Sequence, residues 1–319
     1  MSPTNIFAPA STPADSIFGL SIFVVLTVAA IFIAVFALLL YAVVKFRNKR
    51  TDDRSEPPQV YGSTQVELAW TVIPVLIVVA LFLASARVIA SIQDAPRPPS
   101  ALEVTVIGHQ YWWEYRYPKL NIVTANELHV PVSNPAHPTP TFMTLLSADT
   151  DHSFWVPRLA GKTDLIPNHP NTMWIDPHEA GLFLGQCAQY CGVQHAKMLI
   201  RVYVQPRAEF DRWVKEQQEL PHSGTPDGAV SAGQRVFEST ACVNCHAISG
   251  TPAKGRFGPD LTHLMSRDTI ASGAAPSTHD TLRRWIQDPD AIKPGSKMPA
   301  MGLSDHDLDA VTAYLETLR

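Results

Sequence analysis

The chain has 319 residues, enough for two or three modest domains. Its formal net charge is −4, so nothing in the charge balance suggests a nucleic-acid partner. Only 17% of the residues are charged, low for a soluble protein, and the shortage is concentrated in the first third of the sequence.

Ile17 to Val44 carries no charge. At about 1.5 Å per residue it is longer than the roughly 30 Å hydrocarbon core of a bilayer. Leu68 to Ala86 is a second uncharged run, interrupted only by Pro74, which a membrane helix tolerates. Spans are therefore expected at about 17–44 and 68–90, within an N-terminal segment of residues 1–94. The connecting loop KFRNKRTDDR holds Lys45, Arg47, Lys49, Arg50 and Arg54, and no basic residue precedes the first run. The positive-inside rule puts that loop in the cytoplasm and both termini outside. The first run lacks a charged leading region, so it reads as a retained span. In a bacterium the chain would then sit in the inner (cell) membrane, with everything after about residue 95 on the periplasmic side. All four cysteines lie there, so disulfides have to be weighed for both pairs.

Residues 95–219 read as a β domain. QDAPRPPS (93–100) leads out of the second span, and Leu102, Val104 and Val106 then alternate as on one face of a strand. ELHVPV, TFMTLLSA, NTMWID and MLIRVYV are further short β-favouring segments separated by Pro, Asn, Asp and Gly, a sandwich or barrel pattern. QPRAEFDRWVKEQQ (205–218) reads as a helix with Phe210, Trp213 and Val214 on its apolar side.

Within that domain, GQCAQYCGVQHAKM (185–198) concentrates metal-binding chemistry. A Cys187–Cys191 disulfide leaves His195 and Met198 without a purpose. A structural zinc site leaves Met198 surplus, and a mononuclear blue-copper site has one cysteine too many. Two thiolates can instead bridge two metal ions, with one histidine terminal to each. Soft sulfur with imidazole favours copper. The second histidine has to come from outside the loop, and DHSFWVP (151–157) offers His152.

LPHSGTPDGAV (220–230) is a linker by composition, and residues 231–319 form a third unit. It opens on a helix, SAGQRVFES, and closes on SDHDLDAVTAYLETLR, where Leu308, Val311, Leu315 and Leu318 form a core stripe. ACVNCH (241–246) is a C-x-x-C-H motif: Cys242 and Cys245 can each bond a vinyl group of one porphyrin, and His246 reaches its iron. A disulfide or redox pair is the alternative, but a thioredoxin-type motif calls for a βαβ setting that is absent. The sixth ligand of an electron carrier is a soft donor, for which Met298 is favoured, Met301 is second and Met265 third.

This third unit resembles a class I cytochrome c, on Gly233 and Phe237 in the opening helix, GPDL (258–261) and the K-M-P run at 297–299. The resemblance implies that Pro259 supports His246 through the backbone and that the terminal helices cross. Residues from about 15 to 215 resemble subunit II of haem–copper cytochrome c oxidases. The resemblance rests on QVELAWTVIP (65–74), GHQYWWEYRY (108–117), HSFWVP (152–157) and C-x-x-x-C-x-x-x-H-x-x-M (187–198). With the fused cytochrome, the chain is similar to subunit II of a caa-type oxidase.

That resemblance implies a multidomain membrane protein: a two-helix transmembrane hairpin, an all-β cupredoxin-like Greek-key barrel and an all-α class I cytochrome c domain. It implies two copper ions as a binuclear copper A centre, held by His152, Cys187, the Gln189 carbonyl, Cys191, His195 and Met198, and one covalent haem c. Tyr111, Trp112 and Trp113 would carry electrons inward, although many relatives have a tryptophan where Tyr111 stands. Glu67 would stand at the mouth of a proton channel shared with subunit I. Relatives often have a glutamate at Gln189 that helps bind magnesium; an amide is a poorer ligand for a hard cation, which makes that magnesium site doubtful. The implied partners are subunit I and the other oxidase subunits, membrane lipid, and a donor such as a cytochrome bc complex or a soluble cytochrome. The implied function is electron transfer from that donor through haem c and copper to the haem of subunit I, where oxygen is reduced with proton pumping. A membrane-anchored copper-handling or assembly protein and a haem-based redox sensor are the alternatives. The first has no use for a covalent haem, and the second lacks room for a signalling domain at 45–67.

Overall fold

The computed structural model describes residues 4–47, 59, 61–134, 138–221 and 228–319. Lys49, Arg50 and Arg54, on which the orientation of the membrane loop partly rests, lie outside the described residues, as does most of the linker. The chain divides into two compact units, Ser16–Pro96 and Arg97–Arg319, the latter together with the stretch ending at Asp15.

The first unit holds two helices, α1 (Thr12–Lys45) and α2 (Thr64–Gln93), each long and apolar enough to cross a membrane. Both run beyond the uncharged stretches that announced them. Helix α2 continues through Pro74.

The second unit opens on two five-stranded sheets. One has the order β3 (Ile122–Ala125), β2 (Trp112–Tyr117), β1 (Leu102–His109), β5 (Thr141–Ser147), β8 (Asn171–Ile175). The other has the order β4 (Glu127–Pro131), β10 (Leu199–Gln205), β9 (Gly181–Cys187), β6 (His152–Trp155), β7 (Thr163–Leu165). Pairing is antiparallel except β1 with β5 and β4 with β10. Alternation explains the core: Val104 and Val106 on β1 and Ile200, Val202 and Val204 on β10 are buried together with Trp113, Tyr115, Leu128, Phe154 and Phe183. Strand β2 departs from alternation. Trp113, Tyr115 and Tyr117 fill the core, while Trp112 and Glu114 on the opposite face are buried as well. Those two line clefts shared with Ala247, Lys254 and Gly258, so the haem-motif unit covers the outer face of the strand.

Helix α3 (Arg207–Gln218) closes this β module by inserting Phe210 and Trp213. Trp213 stacks on His129 with ring centroids 4.4 Å apart, and Tyr203 stacks on the same imidazole at 4.9 Å.

The remaining helices are α4 (Gly228–Ser239), α5 (Cys242–Cys245), α6 (His279–Gln287), α7 (Pro289–Ile292) and α8 (Asp305–Glu316). Helices α4 and α8 touch backbone to backbone at Gly233, where a Cβ would overlap the carbonyl of Ala310. Leu308, Val311, Leu315 and Leu318 are all buried, so the stripe read from the sequence is core. Helix α6, which that reading did not identify, starts at a capping box between Thr278 and Thr281 and buries Leu282 and Ile286.

A buried polar cluster joins the helical module to the sheets. Glu127 is 2% exposed and accepts hydrogen bonds from Asp268 N (3.1 Å), Thr269 N (3.0 Å) and the Thr269 hydroxyl (2.9 Å). Arg201 approaches it at 3.6 Å. Without the Glu127 carboxylate these donors lose their acceptor, at a cost of about 1–3 kcal/mol for each group left buried and unsatisfied.

The His129 stack yields a pH prediction. Burial pushes the pKa of His129 down to about 4, although the Gln205 side chain hydrogen-bonds its ring at 3.1 Å. The unfolded chain, with an ordinary histidine near 6.5, binds the proton first as pH falls. The stability this neutral ring contributes is present above about pH 6.5 and is lost progressively toward pH 4, by about 3 kcal/mol in all. Unfolding free energies measured across that window are expected to show the slope in the wild type and a flatter one in His129→Phe; equal slopes would contradict the assignment.

Candidate redox site

The β9–β10 hairpin carries the sulfur-rich loop, and β6 brings His152 beside it because Phe154 and Trp155 pair with Cys187 and Gln186. Cys187 Sγ lies 3.9 Å from Cys191 Sγ, nearly twice a disulfide bond of about 2.05 Å. His152 Nδ1 is 3.9 Å from Cys187 Sγ, and the Gln189 carbonyl oxygen is 3.2 Å from it. On the other sulfur, His195 Nδ1 is 3.8 Å and Met198 Sδ 3.9 Å from Cys191 Sγ. All six donors expected from the sequence thus converge. Each sulfur has one imidazole and one weak donor beside it. Donor atoms this far apart can share ions bonded at about 2.0–2.3 Å.

The electrostatics call for positive charge. Both cysteines are buried. Hydrogen bonding with Cys191, aided by His152, holds Cys187 well below the usual thiol range against the opposing effect of burial. Cys191 is pushed well up, first by the neighbouring Cys187 and then by burial. Two adjacent thiolates out of water need cations between them. The chemistry of the set, two thiolates with two imidazoles, a thioether and a carbonyl, fits copper.

Around the donors lies a layer of support that the sequence did not disclose. Burial disfavours protonated His152, yet the Asp149 carboxylate and the Cys187 sulfur outweigh it and raise its pKa. Asp149 Oδ1 sits 2.8 Å from His152 Nε2, which leaves Nδ1 aimed at the sulfurs. The same carboxylate accepts Gln110 N at 2.7 Å, and Gln110 Nε2 donates to the Cys191 carbonyl at 2.6 Å.

The three aromatic candidates separate by position. Trp113 is fully buried in the barrel, edge-on to His152 with centroids 6.0 Å apart. Trp112 stacks on His109 at 4.1 Å, and the Tyr111 hydroxyl accepts Val193 N at 3.2 Å. Glu67 is exposed on the first turn of α2. The Gln189 side chain is exposed, and only its carbonyl faces the sulfurs.

A cavity of about 690 Å³ adjoins this region. Cys242, Cys245 and His246 line it from one module, and His109, Gln110, Tyr111, Trp112 and Asp149 line it from the other. The two thiols are free, as covalent haem attachment requires. The His246 ring nitrogen Nδ1 lies 2.8 Å from the Pro259 carbonyl, leaving Nε2 for a metal. Gly258 makes room for that ring, since a Cβ there would come 2.6 Å from His246 Cε1. Met298 and Met301 both line the cavity, whereas Met265 Sδ accepts the Ser277 hydroxyl at 3.6 Å outside it. Size, thiols, imidazole and thioethers together fit a c-type haem.

A β module with a thiolate metal loop, a haem pocket sharing its wall and two membrane-length helices define a membrane-bound electron carrier. Comparison with known proteins narrows the class. The chain matches the family models "Cytochrome C oxidase subunit II, transmembrane domain" over residues 3–88, "Cytochrome C oxidase subunit II, periplasmic domain" over 125–204, and "Cytochrome c" over 230–319. It is 33% identical to cytochrome c oxidase subunit 2 of Alkalihalophilus pseudofirmus, over 98% of this chain and 90% of that one. It is 31% identical to the Bacillus subtilis protein of the same name over the same shares. The solved periplasmic domain of subunit II of cytochrome oxidase from Bradyrhizobium japonicum is 29% identical, covering 39% of this chain and 96% of that one, with a TM-score of 0.35. The chain belongs to the cytochrome c oxidase subunit II family, with a fused cytochrome c domain. It is a subunit of a haem–copper terminal oxidase, whose oxygen chemistry takes place in subunit I. The family implies a cupredoxin-like fold for the β module, copper A and covalent haem c.

Replacing Asp149 with Asn removes the carboxylate behind His152, and metal affinity is expected to fall by roughly 10–100-fold. Competition between the loaded protein and a copper chelator measures this; wild-type affinity in the variant would show that Asp149 does not orient the ligand.

Proposed function

We propose that this chain passes electrons from a donor to a covalent haem c, then to a binuclear copper A centre, and on to haem in subunit I, where oxygen is reduced to water as protons are pumped. One observation carries the reading: the C-x-x-C-H cavity is walled by Asp149, which hydrogen-bonds His152 on the far side. The haem crevice and the sulfur loop are thus one histidine–carboxylate contact apart.

In this reading His152, Cys187, the Gln189 carbonyl, Cys191, His195 and Met198 hold two copper ions. Cys242 and Cys245 attach the haem, His246 binds its iron, and Met298 supplies the sixth ligand, with Met301 as the runner-up. Both groups supply one-electron chemistry in which no substrate bond is made or broken. The protein's own contribution is position and exclusion of water. Buried Trp113 and Phe154 pack beside His152, with Trp113 and Phe154 ring centroids 5.7 Å apart, and Met198 is fully buried. Tyr111 and Trp112, on the cavity wall, form the path between the centres, with Trp113 behind them.

Two spans hold the chain in the bacterial cell membrane beside subunit I, with both termini outside. A cytochrome bc complex or a soluble cytochrome serves as donor. Glu67 opens a proton path shared with subunit I. Magnesium has no carboxylate at position 189, whereas copper uses a carbonyl that any residue there provides.

Cys187→Ser in the assembled oxidase is expected to abolish the copper signal and oxygen consumption while the haem still attaches and is reduced by the donor. Loss of both cofactors together, or continued turnover, would contradict the two-centre reading. Met298→Ala is expected to remove the methionine-ligated haem spectrum; retention of that spectrum, with its loss in Met301→Ala, would transfer the role to Met301.

A further inference from the structure

The sulfur loop and the segment leading into the haem methionine loop are tied together by contacts that the proposed function does not use. Gln194 Nε2 donates to the Pro294 carbonyl. Lys197 Nζ donates to the Ile292 carbonyl at 3.2 Å. Leu199 N donates to the Ser272 carbonyl at 3.3 Å, and the Ser272 hydroxyl returns a bond to the Leu199 carbonyl at 3.2 Å. Gly295, in the left-handed region at φ +81°, lies so close that a Cβ would come 2.6 Å from a Val193 methyl.

Lys293 is at the centre of these ties. It is 3% exposed, and its ammonium donates to the Tyr111 carbonyl at 2.7 Å and the Ala271 carbonyl at 3.0 Å. One acceptor belongs to the β module and the other to the haem module. Both are neutral. An ammonium buried against carbonyls is a costly way to fill space, and an apolar side chain of similar length would fill it at lower cost. What the ammonium adds is two directed bonds across the junction. Burial lowers its pKa to about 7, in keeping with that cost. Tyr111 passes the connection on, because its hydroxyl accepts Val193 N and its neighbour Gln110 holds the Cys191 carbonyl.

We propose that Lys293 is a positioning residue for haem-to-copper electron transfer, pinning the backbone that leads to Met298 against the backbone that packs on the copper loop. The proposal rests on the functional reading above. The step it serves moves one electron: haem iron is oxidised by one unit, the copper centre is reduced by one unit, and no bond or proton changes hands. Lys293 carries no electron; it sets the separation across which the electron passes.

The test compares the assembled wild-type oxidase with Lys293→Met and Lys293→Arg. Copper EPR and the haem spectrum report loading, deuterium exchange of amides 290–301 and 192–199 reports the junction, and flash reduction reports the transfer rate. Lys293→Met is expected to keep both spectra, raise exchange in both segments and slow transfer by several-fold, because electron transfer weakens steeply as the two centres move apart. Lys293→Arg, which keeps the donors, is expected to recover most of the rate. An unchanged rate in Lys293→Met, or slower transfer with unchanged exchange, overturns the proposal. If the Met variant does not assemble, Lys293→Leu likewise removes both donors, and a wild-type rate there overturns it equally. A wild-type oxidase that passes no electron from haem to copper sinks the functional reading instead, and this is seen before any variant is compared.

Discussion

Two thiols 3.9 Å apart in a buried loop cannot both carry charge unless cations lie between them. The rest of the β module follows from that constraint. The β9–β10 hairpin presents both sulfurs from one short loop, and the pairing of β6 with β9 fixes His152 beside them. A carboxylate behind His152 sets its tautomer, and Met198 and the Gln189 carbonyl occupy the remaining directions. The barrel is a rigid frame for charges that would otherwise repel each other.

The second organising feature is the shared wall. In the sequence, the copper loop and the haem motif are separated by a linker and read as parts of separate domains. In the structure they pack within one compact unit, and strand β2 is buried on both faces because one face meets the barrel core and the other meets the haem module. Glu127 and the Lys293 junction join the modules at buried hydrogen bonds to backbone groups. Such contacts are screened little by salt, unlike the exposed charge pairs typical of transient redox encounters.

Much of the site was legible because its chemistry is compressed into short motifs. C-x-x-C-H gathers two thiols and an imidazole within five residues, and the 187–198 run carries all but one of the sulfur-site donors. The spans were legible by length and lack of charge, and the α8 stripe by its spacing. What was hidden depends on tertiary context. Asp149 is one of two acids just before His152, and nothing local says that it, rather than Asp151, meets the ring. Lys293 reads as an ordinary surface cation until the two modules close over it. Strand β2 could not show alternation, since both of its faces are covered. Met265 ranks third among the candidate methionines in the sequence, and the fold turns it away from the cavity.

In the proposed function one chain holds a mixed-valence copper pair and a haem in adjoining sites. The most direct measurement is an EPR spectrum with metal analysis of the full chain loaded with copper and haem. Two coppers and one haem per chain are expected, with a hyperfine pattern from one electron shared over both copper nuclei. One copper or one zinc per haem, with no shared-electron pattern, would contradict it.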